Sequence, residues 1–392
     1  MKHLFVNALA ASAGGGLTYI RNVVPLLAGT PGLRVTIALS ASLREEFSAY
    51  RDINFLELDV PAARRFRYEQ SEVPKLIRRC GAEGLLSTGN FATKNSPVPQ
   101  VLLSRNSIYT SPDYYRDLLS RHEYRMWTQT RLRSALAKRS ILWADATIAP
   151  SEAFAAELRR WTGKDVIAIH HGFDRDSFVR DSNPLPPAIE TRLRAAEGSV
   201  KLLFVSHYNY YRNFETLIRA LPRLRKLLGG RSIKLLLTCS LVAGSNPGAY
   251  RPDRAAALIR NLNVSDMMVE LGTIPYQQLH HVYARADLYV TAAYTETFAH
   301  PLVEAMASGL PVVASDLAVH REICGDAGVY FPRFSSEELA ENIARIVQSP
   351  EKAKLMAEAG RERSRQFSWK AHVERLLGVC SSSIDSANEG NQ

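Results

Sequence analysis

The sequence contains few cysteines and no long apolar run. Its four cysteines, Cys80, Cys239, Cys324 and Cys380, are far apart and form no Cys-x-x-Cys pair. Neither a disulfide framework nor a zinc site is therefore predicted, and we expect a reducing, cytoplasmic location. No stretch approaches the roughly 18 consecutive apolar residues that a membrane-spanning helix needs. A protein integral to the membrane is not expected.

The first residues have some features of a signal peptide. Lys2 precedes an apolar run, and Ala11-Ser12-Ala13 mimics a cleavage site. Asn7 interrupts the run, however, and the segment is better interpreted as a buried strand followed by a turn at Gly14-Gly15-Gly16. We therefore expect no cleaved leader in this segment.

The charge balance is basic, because 49 lysines and arginines face 39 aspartates and glutamates, for a formal net charge of +10. Such a charge favours anionic partners such as nucleotides, nucleic acids or phospholipid headgroups. The sequence contains no RNP, zinc-finger or helix-turn-helix motif, so a nucleic-acid partner is not expected.

Basic residues are densest over residues 116–139, where tyrosine, tryptophan and leucine are interleaved with arginine and lysine. One interpretation is a helix that lies on an anionic membrane surface, which would give the protein a peripheral location on the inner face of the cell membrane. The other is a helix packed through its apolar side that exposes a solvated basic face. The sequence leaves both open.

Short β-like runs alternate with helical patterns along the chain, which is typical of parallel, doubly wound sheets. A stretch rich in proline and polar residues, 180–200, interrupts the alternation, which then restarts. The sequence therefore predicts an α/β protein with two Rossmann-like domains, residues 1–185 and 196–365, and a short tail over 383–392. Open sheets of this kind bind ligands at the carboxyl ends of their strands, so two such domains that face each other create a cleft for chemistry.

The segment TETFAHPLVEAMASGLPVVAS, residues 295–315, carries the strongest functional signal. It follows a predicted strand and reads as a loop, a short helix and a second strand, with Pro301 at the helix start and Gly309 at its end. The positive end of the helix dipole would favour a phosphate near the loop amides. Those amides belong to Thr297, Phe298 and Ala299.

Two glutamates flank the predicted helix start. Glu296 lies on the loop, and Glu304 is predicted in the first helical turn, where it could accept hydrogen bonds from ribose hydroxyls. A glutamate in a first turn also stabilises its helix without any ligand, and a loop glutamate is commonly just solvated. The pair in this context is nevertheless more typical of a nucleotide site.

The segment resembles the signature of retaining glycosyltransferases of family 4, which have the two-domain GT-B fold. That signature has a glutamate, seven residues, a second glutamate and then Gly-x-Pro-Val-Val, as in Glu296, Glu304 and 309–313 here. Other stretches add to the resemblance, namely the glycine-rich turn at Gly14–Gly16, WADATIAPSEAFAAEL, HHGFDRDSF and FSWKAHVERLL. The last resembles the family's carboxyl-terminal helix, here 366–382, which crosses back to the first domain.

The resemblance implies an enzyme that moves a sugar from a nucleoside-diphosphate sugar to a hydroxyl with anomeric retention, and we expect that sugar to be a hexosyl group. It implies that Glu296 places and polarises the donor sugar, that Glu304 binds the ribose, and that Gly15 and Gly16 contact substrate. It also implies that no metal ion or other cofactor is needed. The growing charge on the leaving phosphate would then need protein cations.

The sequence departs from the family pattern at several positions. Where the family has an arginine and a lysine five residues apart, this chain has His207 and Arg212, of which Arg212 keeps a charge suited to phosphate oxygens. His207 fits a phosphate contact or a structural role equally. Where many relatives place a histidine in the first domain, this chain has Arg105 and Asn106, either of which could contact sugar or acceptor or be structural.

The sequence thus predicts a retaining glycosyltransferase of bacterial polysaccharide or glycolipid biosynthesis, with a glycan or lipid-linked glycan as acceptor. The alternative is a non-catalytic subunit with the same fold that binds nucleotide or glycan without turnover. The departures at His207 and Arg105 motivate this alternative, whereas Glu296, Glu304 and Arg212 argue against it.

Overall fold

The computed structural model describes residues 2–11 and 14–389. Ser12 and Ala13 of the cleavage-like triplet, and residues 390–392 of the predicted tail, lie outside the described residues. The chain divides into two compact units. The first comprises Met1–Thr110, His122–Gly172 and Ser368–Gln392, and the second comprises Ser111–Arg121 and Phe173–Phe367.

The first unit is built on seven strands, β1 (Lys2–Asn7), β2 (Leu33–Leu39), β3 (Ile53–Glu57), β4 (Gly84–Ser87), β5 (Gln100–Leu103), β6 (Ala146–Ala149) and β7 (Ile167–Ala168). They form one parallel sheet in the order β3-β2-β1-β4-β5-β6-β7. The central strands β4 and β5 are buried at every position, as expected for a parallel sheet with both faces covered.

The helices that follow these strands are α1 (Gly14–Ala28), α2 (Ala62–Ser71), α3 (Val73–Cys80), α4 (Pro112–Ser120), α5 (Tyr124–Trp143) and α6 (Glu152–Thr162). Helix α4 is grouped with the second unit although the chain on both sides of it belongs to the first. The basic stretch 116–139 is therefore not one helix. It is divided between α4 and α5 near His122, whose φ of 57° is left-handed and interrupts a regular helix.

The second unit is built on six strands, β8 (Val200–Phe204), β9 (Ile233–Leu237), β10 (Met268–Glu270), β11 (Leu288–Thr291), β12 (Val312–Ser315) and β13 (Gly328–Phe331). They form a second parallel sheet in the order β10-β9-β8-β11-β12-β13. The chain order reverses between β8 and β11, which is where open α/β sheets place their ligand site.

The helices of the second unit beyond α4 are α7 (Arg175–Phe178), α8 (Pro187–Arg194), α9 (Phe214–Leu227), α10 (Asp253–Asn261), α11 (Leu279–Tyr283), α12 (His300–Ala307), α13 (Ala318–Cys324), α14 (Ser336–Val347) and α15 (Pro350–Ser364). The units change after Gly172, upstream of the boundary predicted at residue 185. The stretch 180–200, predicted as a connection, contains α8 and belongs to the second unit.

The last helix, α16 (Trp369–Glu389), packs in the first unit, which confirms the predicted return of the chain to that unit. Its apolar face joins the core beside β1 and α1 through Trp369, Val373, Leu376 and Cys380. The helix continues beyond residue 382, so residues 383–389 are helical and the predicted tail does not begin there. Burial of Cys380 and Ile384 on the same face explains this extension.

Among residues 2–11 and 14–389, no helix combines the length and the apolar character needed to cross a lipid bilayer. The cysteines of the described chain are all free thiols.

Candidate active site

The first arm of the site is the loop after β8, which carries Arg212. The Asn209 side chain accepts a hydrogen bond from the Arg212 amide at 3.1 Å and so closes the 3-10 turn Tyr210–Arg212. The next residue, Asn213, has a left-handed φ of 56°. Its side-chain amide donates to the carbonyl of Ala292 at 3.0 Å and to that of Arg333 at 2.8 Å. The Arg212 loop is thereby tied to the segment that follows β11.

The second arm is the loop after β11, which carries Glu296 and leads into α12. Ala299 occupies the N-cap position with a left-handed φ of 62°, and Pro301 lies within the first two helical residues. Gly309 follows the helix with φ 76°, and a Cβ at this position would collide with the guanidinium of Arg361. These residues fix a helix of eight residues, so the predicted loop, proline-started helix and glycine end are all present.

The prediction that Glu304 lies in the first turn of this helix is wrong. Because α12 begins at His300, Glu304 is its fifth residue and belongs to the second turn. Its side chain is 3 % exposed. A stabilising interaction with the helix dipole, which falls off within the first turn, therefore does not account for this glutamate.

The two arms meet in an ion pair between the Arg212 guanidinium and Oε2 of Glu296. The other oxygen of Glu296 accepts the amide of Thr297 at 2.9 Å. Burial alone would raise the pKa of Glu296, but the charge of Arg212 and the Thr297 amide outweigh it and hold that pKa below its usual value. Burial likewise opposes the charge of Arg212, but Glu296 outweighs it and the pKa of Arg212 is raised. Both side chains are therefore ionised at neutral pH.

One donor of Arg212 remains unused in this arrangement. Its Nε is buried and has no hydrogen-bond partner among the described residues. A buried charged donor without a protein partner is costly, so a water molecule or a ligand oxygen is needed to complete it. An oxygen of an anionic ligand would satisfy both the hydrogen bond and the charge.

His320, on α13, lies close enough to this ion pair for both charges to act on it. Its Nδ1 is 2.8 Å from the carbonyl of Ser315, which makes Nδ1 the protonated nitrogen of the neutral ring. Burial, the largest effect, lowers the pKa of His320 to about 4, and the charge of Arg212 adds to the decrease. The ring is therefore neutral near pH 7, and its buried Nε2 has no partner among the described residues.

Glu304 lies in a tyrosine-lined part of the same unit. The hydroxyl of Tyr283 donates to Oε2 of Glu304 at 2.8 Å. Burial raises the pKa of Glu304 to about 7, and hydrogen bonds from Tyr283 and Tyr276 partly oppose the increase. This carboxyl group can therefore gain or lose a proton near neutral pH.

The other predicted residues of the second unit have different surroundings. His207 is exposed, and its pKa is lowered by partial desolvation and then by the charge of Arg212. Phe298 is buried, with its ring 5.5 Å from that of Phe367 and 4.9 Å from that of His300. Its side chain is therefore part of the core. The Thr297 amide, predicted to hold phosphate, is bound to Glu296 instead.

The remaining predicted residues lie in the first unit. Gly15 and Gly16 form the first turn of α1, and Nη1 of Arg105 donates to the carbonyl of Gly15 at 2.8 Å. A Cβ at Gly16 would lie 2.7 Å from Nη2 of Arg105, so glycine permits this close approach. Asn106 caps the short 3-10 turn Ser107–Tyr109 through a 3.4 Å bond from the Ile108 amide. Arg105 and the two glycines form one cluster, whereas Asn106 has a local structural contact.

Within the described part of the chain, no group of three or more histidine, cysteine, aspartate or glutamate side chains is placed to hold a metal ion. The sequence does contain one Asp-x-Asp triplet, Asp174-Arg175-Asp176. Its first aspartate caps α7 by accepting the Ser177 amide at 3.1 Å, which is a structural contact.

Sequence reasoning missed His320, Tyr283 and Asn213. Asn213 could have been identified, because asparagine is one of the few residues that tolerate a left-handed φ and it directly follows the predicted phosphate-binding Arg212. His320 follows the carboxyl end of β12 by five residues, which gives only a weak positional signal. Tyr283 carries no signal in a single sequence.

Arg212 and Glu296 thus lie after the carboxyl ends of β8 and β11, where open parallel α/β sheets place their ligand sites. Over residues 187–363 the chain matches the family model for glycosyl transferases group 1, in line with the predicted resemblance. A curated relative, D-inositol 3-phosphate glycosyltransferase of Corynebacterium aurimucosum, is 26 % identical over 220 residues, which cover 55 % of this chain and 51 % of the relative. The match thus spans about half the length of that relative.

Solved structures share the fold over nearly the whole chain. Sucrose-phosphate synthase from Thermosynechococcus elongatus has a TM-score of 0.74 at 19 % identity, and the match covers 98 % of this chain and 100 % of the other. HepE from Anabaena, solved with UDP-glucose, has a TM-score of 0.73 at 17 % identity over 97 % and 100 % of the two chains. The predicted GT-B fold class is confirmed.

Proposed function

We propose that the chain transfers a sugar from a nucleoside-diphosphate sugar to a hydroxyl acceptor. The observation that carries this proposal is Arg212, whose Nε is buried without a partner among the described residues while Glu296 holds the same guanidinium. The arginine is thus fixed in position and still has a donor to offer. A leaving diphosphate is the anion that a transferase using nucleoside-diphosphate sugars has to bind, and the match to glycosyl transferases group 1 over residues 187–363 supports such an activity.

Arg212 stabilises the charge that develops on the phosphate as the bond to the sugar breaks. A guanidinium in a site with little water acts strongly on such a charge and needs no reorganisation, since Glu296 and Asn209 already hold it. His207, exposed on the same loop, is available for a second phosphate contact. Because the pKa of His207 is lowered, its ring would make that contact in the neutral form near pH 7.

Glu296 acts as an ionised carboxylate throughout, because its pKa is held low. It therefore serves as a hydrogen-bond acceptor for sugar hydroxyls and as an anion facing positive charge at the reacting carbon, and not as a proton donor. This role is compatible with the predicted retention of anomeric configuration. A proton released by the acceptor hydroxyl would leave with the diphosphate product.

Glu304 binds the ribose in this proposal, and its hydrogen bonds to Tyr283 and Tyr276 hold the carboxyl group in place. The backbone at Phe298 and Ala299 lies beside the start of α12, where an anion is favoured. We propose a uridine diphosphate sugar as donor, with support from HepE, which was solved in complex with UDP-glucose.

The acceptor side is assigned to the first unit, where Arg105 contacts Gly15 beside the start of α1. The relative's name, D-inositol 3-phosphate glycosyltransferase, supports a hydroxylated acceptor that carries an anionic group. A glycan or lipid-linked glycan of polysaccharide or glycolipid biosynthesis fits this description. We propose that transfer needs no metal ion and takes place in the cytoplasm.

The proposal is tested by sugar release from a panel of nucleoside-diphosphate sugars, with and without a chelator. Release from one donor, unchanged by the chelator, is the expected result, and the anomer formed shows whether configuration is retained. A protein that binds a nucleotide but releases no sugar from any donor would instead support the non-catalytic alternative.

Contact with an anionic membrane is a second proposal, supported by α5. This helix exposes 72 % of Leu132 and 59 % of Tyr124, and Arg131 and Arg133 on either side of Leu132 are also exposed. Exposed apolar and basic side chains on one helix are typical of an interfacial helix. Reversal of Arg131 and Arg133 to glutamate should weaken binding to vesicles with anionic lipids and leave neutral vesicles unaffected. Equal binding by both proteins would exclude α5 as the contact.

A further inference from the structure

Helix α4 and the residue after it form a distinct element of the second unit. The segment Ser111–Arg121 is grouped with that unit, although it follows β5 in the chain. The sequence prediction placed residues 116–121 on a basic helix, either against an anionic membrane surface or with a solvated basic face. In the structure the side chain of Arg121 is only 8 % exposed, which requires a specific explanation for its burial.

Three contacts compensate the buried charge of Arg121 and fix the orientation of its guanidinium. Its Nε donates to Oδ1 of Asp117 at 2.7 Å, and its Nη2 donates to Oε1 of Glu215 at 2.8 Å. The guanidinium carbon lies 4.2 Å from the ring centre of Tyr210. Tyr210 begins the 3-10 turn that ends at Arg212, and Glu215 follows that turn by three residues. Arg121 thus contacts residues that precede and follow Arg212 in the chain.

Asp117 extends this contact to the other arm of the site. Its Oδ2 accepts the hydroxyl of Tyr294 at 2.9 Å, and Tyr294 precedes Glu296 by two residues. The amide of Tyr294 also donates to the carbonyl of Tyr211 at 3.0 Å. One carboxylate on α4 therefore links the guanidinium that holds the Arg212 loop to the loop that carries Glu296.

Tyr114, near the start of α4, makes a further contact with the loop that carries Arg212. The ring of Tyr114 packs edge-on against that of Tyr211 at 6.1 Å, and its hydroxyl lies 3.2 Å from that of Tyr250. The ring of Tyr250 in turn packs edge-on against Tyr210 at 4.9 Å. Two consecutive residues of the turn that carries Arg212 are therefore packed against α4 or its neighbours.

We propose that the series Glu215, Arg121, Asp117 and Tyr294 positions the catalytic pair, so that α4 sets the distance between Arg212 and Glu296. In this proposal the four residues act through the two loops and not on the reacting atoms. The inference rests on the proposed function for its catalytic readout, since it assigns new positioning residues to the same site. A bidentate guanidinium is needed at residue 121, because a lysine cannot reach both carboxylates with fixed geometry.

The test compares Arg121→Lys and Tyr294→Phe with Arg116→Gln, each assayed well below its melting temperature. Arg116 lies on the same helix but is 74 % exposed and pairs with Asp113, so its replacement is the matched control. Arg121→Lys should lower kcat, by up to about 100-fold as for a displaced catalytic group. Tyr294→Phe removes one hydroxyl and should lower kcat less, whereas Arg116→Gln should keep the wild-type kcat.

Amide hydrogen exchange adds a readout that does not depend on activity. In Arg121→Lys, exchange should become faster over residues 208–213 and 293–297 and stay unchanged in α14, and Arg116→Gln should match the wild type. A purely structural role would lower the melting temperature of Arg121→Lys without changing kcat of the folded protein. That result, with unchanged exchange in the two loops, would overturn the inference.

If the proposed function is wrong, the activity assays and the exchange measurements give a different combination of results. In that case the wild type itself releases no sugar from any donor, and the exchange data alone decide whether α4 positions the two loops. Faster exchange confined to both loops in Arg121→Lys and Tyr294→Phe would support positioning, and wild-type exchange in both variants would refute it.

Discussion

The hydroxyl of Tyr283 donates to the carboxyl group of Glu304 at 2.8 Å, in a buried position where this group affects stability. Burial raises the pKa of Glu304 to about 7 from an ordinary value of 4.5. The folded protein therefore binds this proton more tightly than the unfolded chain does. Its contribution to stability is fully present below the unfolded pKa, and it is lost as the pH rises through the folded pKa.

We predict that the melting temperature of the wild type falls, relative to that of Glu304→Gln, between pH 5 and pH 7.5. The corresponding change in unfolding free energy over this interval is about 2.4 kcal/mol, because each pKa unit is worth about 1.4 kcal/mol and the interval covers most of the shift. Calorimetry of both proteins across this range measures it, with the exposed Glu358→Gln as control. Parallel curves for wild type and Glu304→Gln would contradict the raised pKa.

Replacement of Glu296 by glutamine separates binding from turnover. Glu296→Gln removes the anion that pairs with Arg212 and faces the sugar, so turnover should fall about 100-fold or more. UDP should bind as tightly as to the wild type or more tightly, since the guanidinium is no longer neutralised by a carboxylate. Titration calorimetry and a sugar-release assay measure the two effects. Wild-type turnover in Glu296→Gln at saturating donor would show that its assigned role is wrong.

Arg212→Lys tests the phosphate contact. Lysine keeps the charge but lacks the Nε donor, and a hydrogen bond to a charged group is worth about 1.5 to 3 kcal/mol, so UDP binding should weaken about tenfold or more. Uridine, which has no phosphate, should bind both proteins equally. The exposed Arg345→Lys on α14 is the control. An equal loss for UDP and uridine would mean that the loop has been disturbed and that Arg212 does not act on phosphate.

Ala299 provides a test of the backbone at the start of α12. Its φ of 62° is left-handed, a conformation that costs a residue with a Cβ about 1 to 2 kcal/mol. Ala299→Gly should keep the melting temperature or raise it slightly, because relief of this cost is partly offset by the flexibility of glycine in the unfolded chain. Ala299→Val should lower the melting temperature clearly more than Ala359→Val, at an exposed helical site. Equal effects of the two valines would contradict a strained Ala299.

The fold was predictable because the signals for parallel sheets are local. Buried runs such as β1 and β12 alternate with amphipathic helices such as α10. The extent of α16 was not predictable in the same way. Its last turns are rich in serine, and burial of Ile384 in the first unit outweighs their weak helix propensity.

The site was predictable where a motif fixes both residue type and spacing. The glutamate pair and the glycine that ends α12 were predictable for this reason. Contacts between distant parts of the chain were not predictable, because a single sequence does not show which segments meet. Arg121 illustrates this limit, since its sequence context is that of an exposed basic helix and its partner Glu215 is 94 positions away. The burial of Arg212 and Glu296 in one ion pair is a second example.

We propose above all that Arg212 and Glu296 form a site for the diphosphate of a nucleotide sugar. Thermal denaturation of the wild type with UDP, GDP, ADP, CMP and TDP, without added metal, tests it most directly. A ligand at a hundredfold its dissociation constant stabilises the folded state by about 2.7 kcal/mol, so one diphosphate, UDP, should raise the melting temperature. The increase should be lost in Arg212→Lys at the same UDP concentration. No shift with any nucleotide, or an equal shift in Arg212→Lys, would contradict the claim.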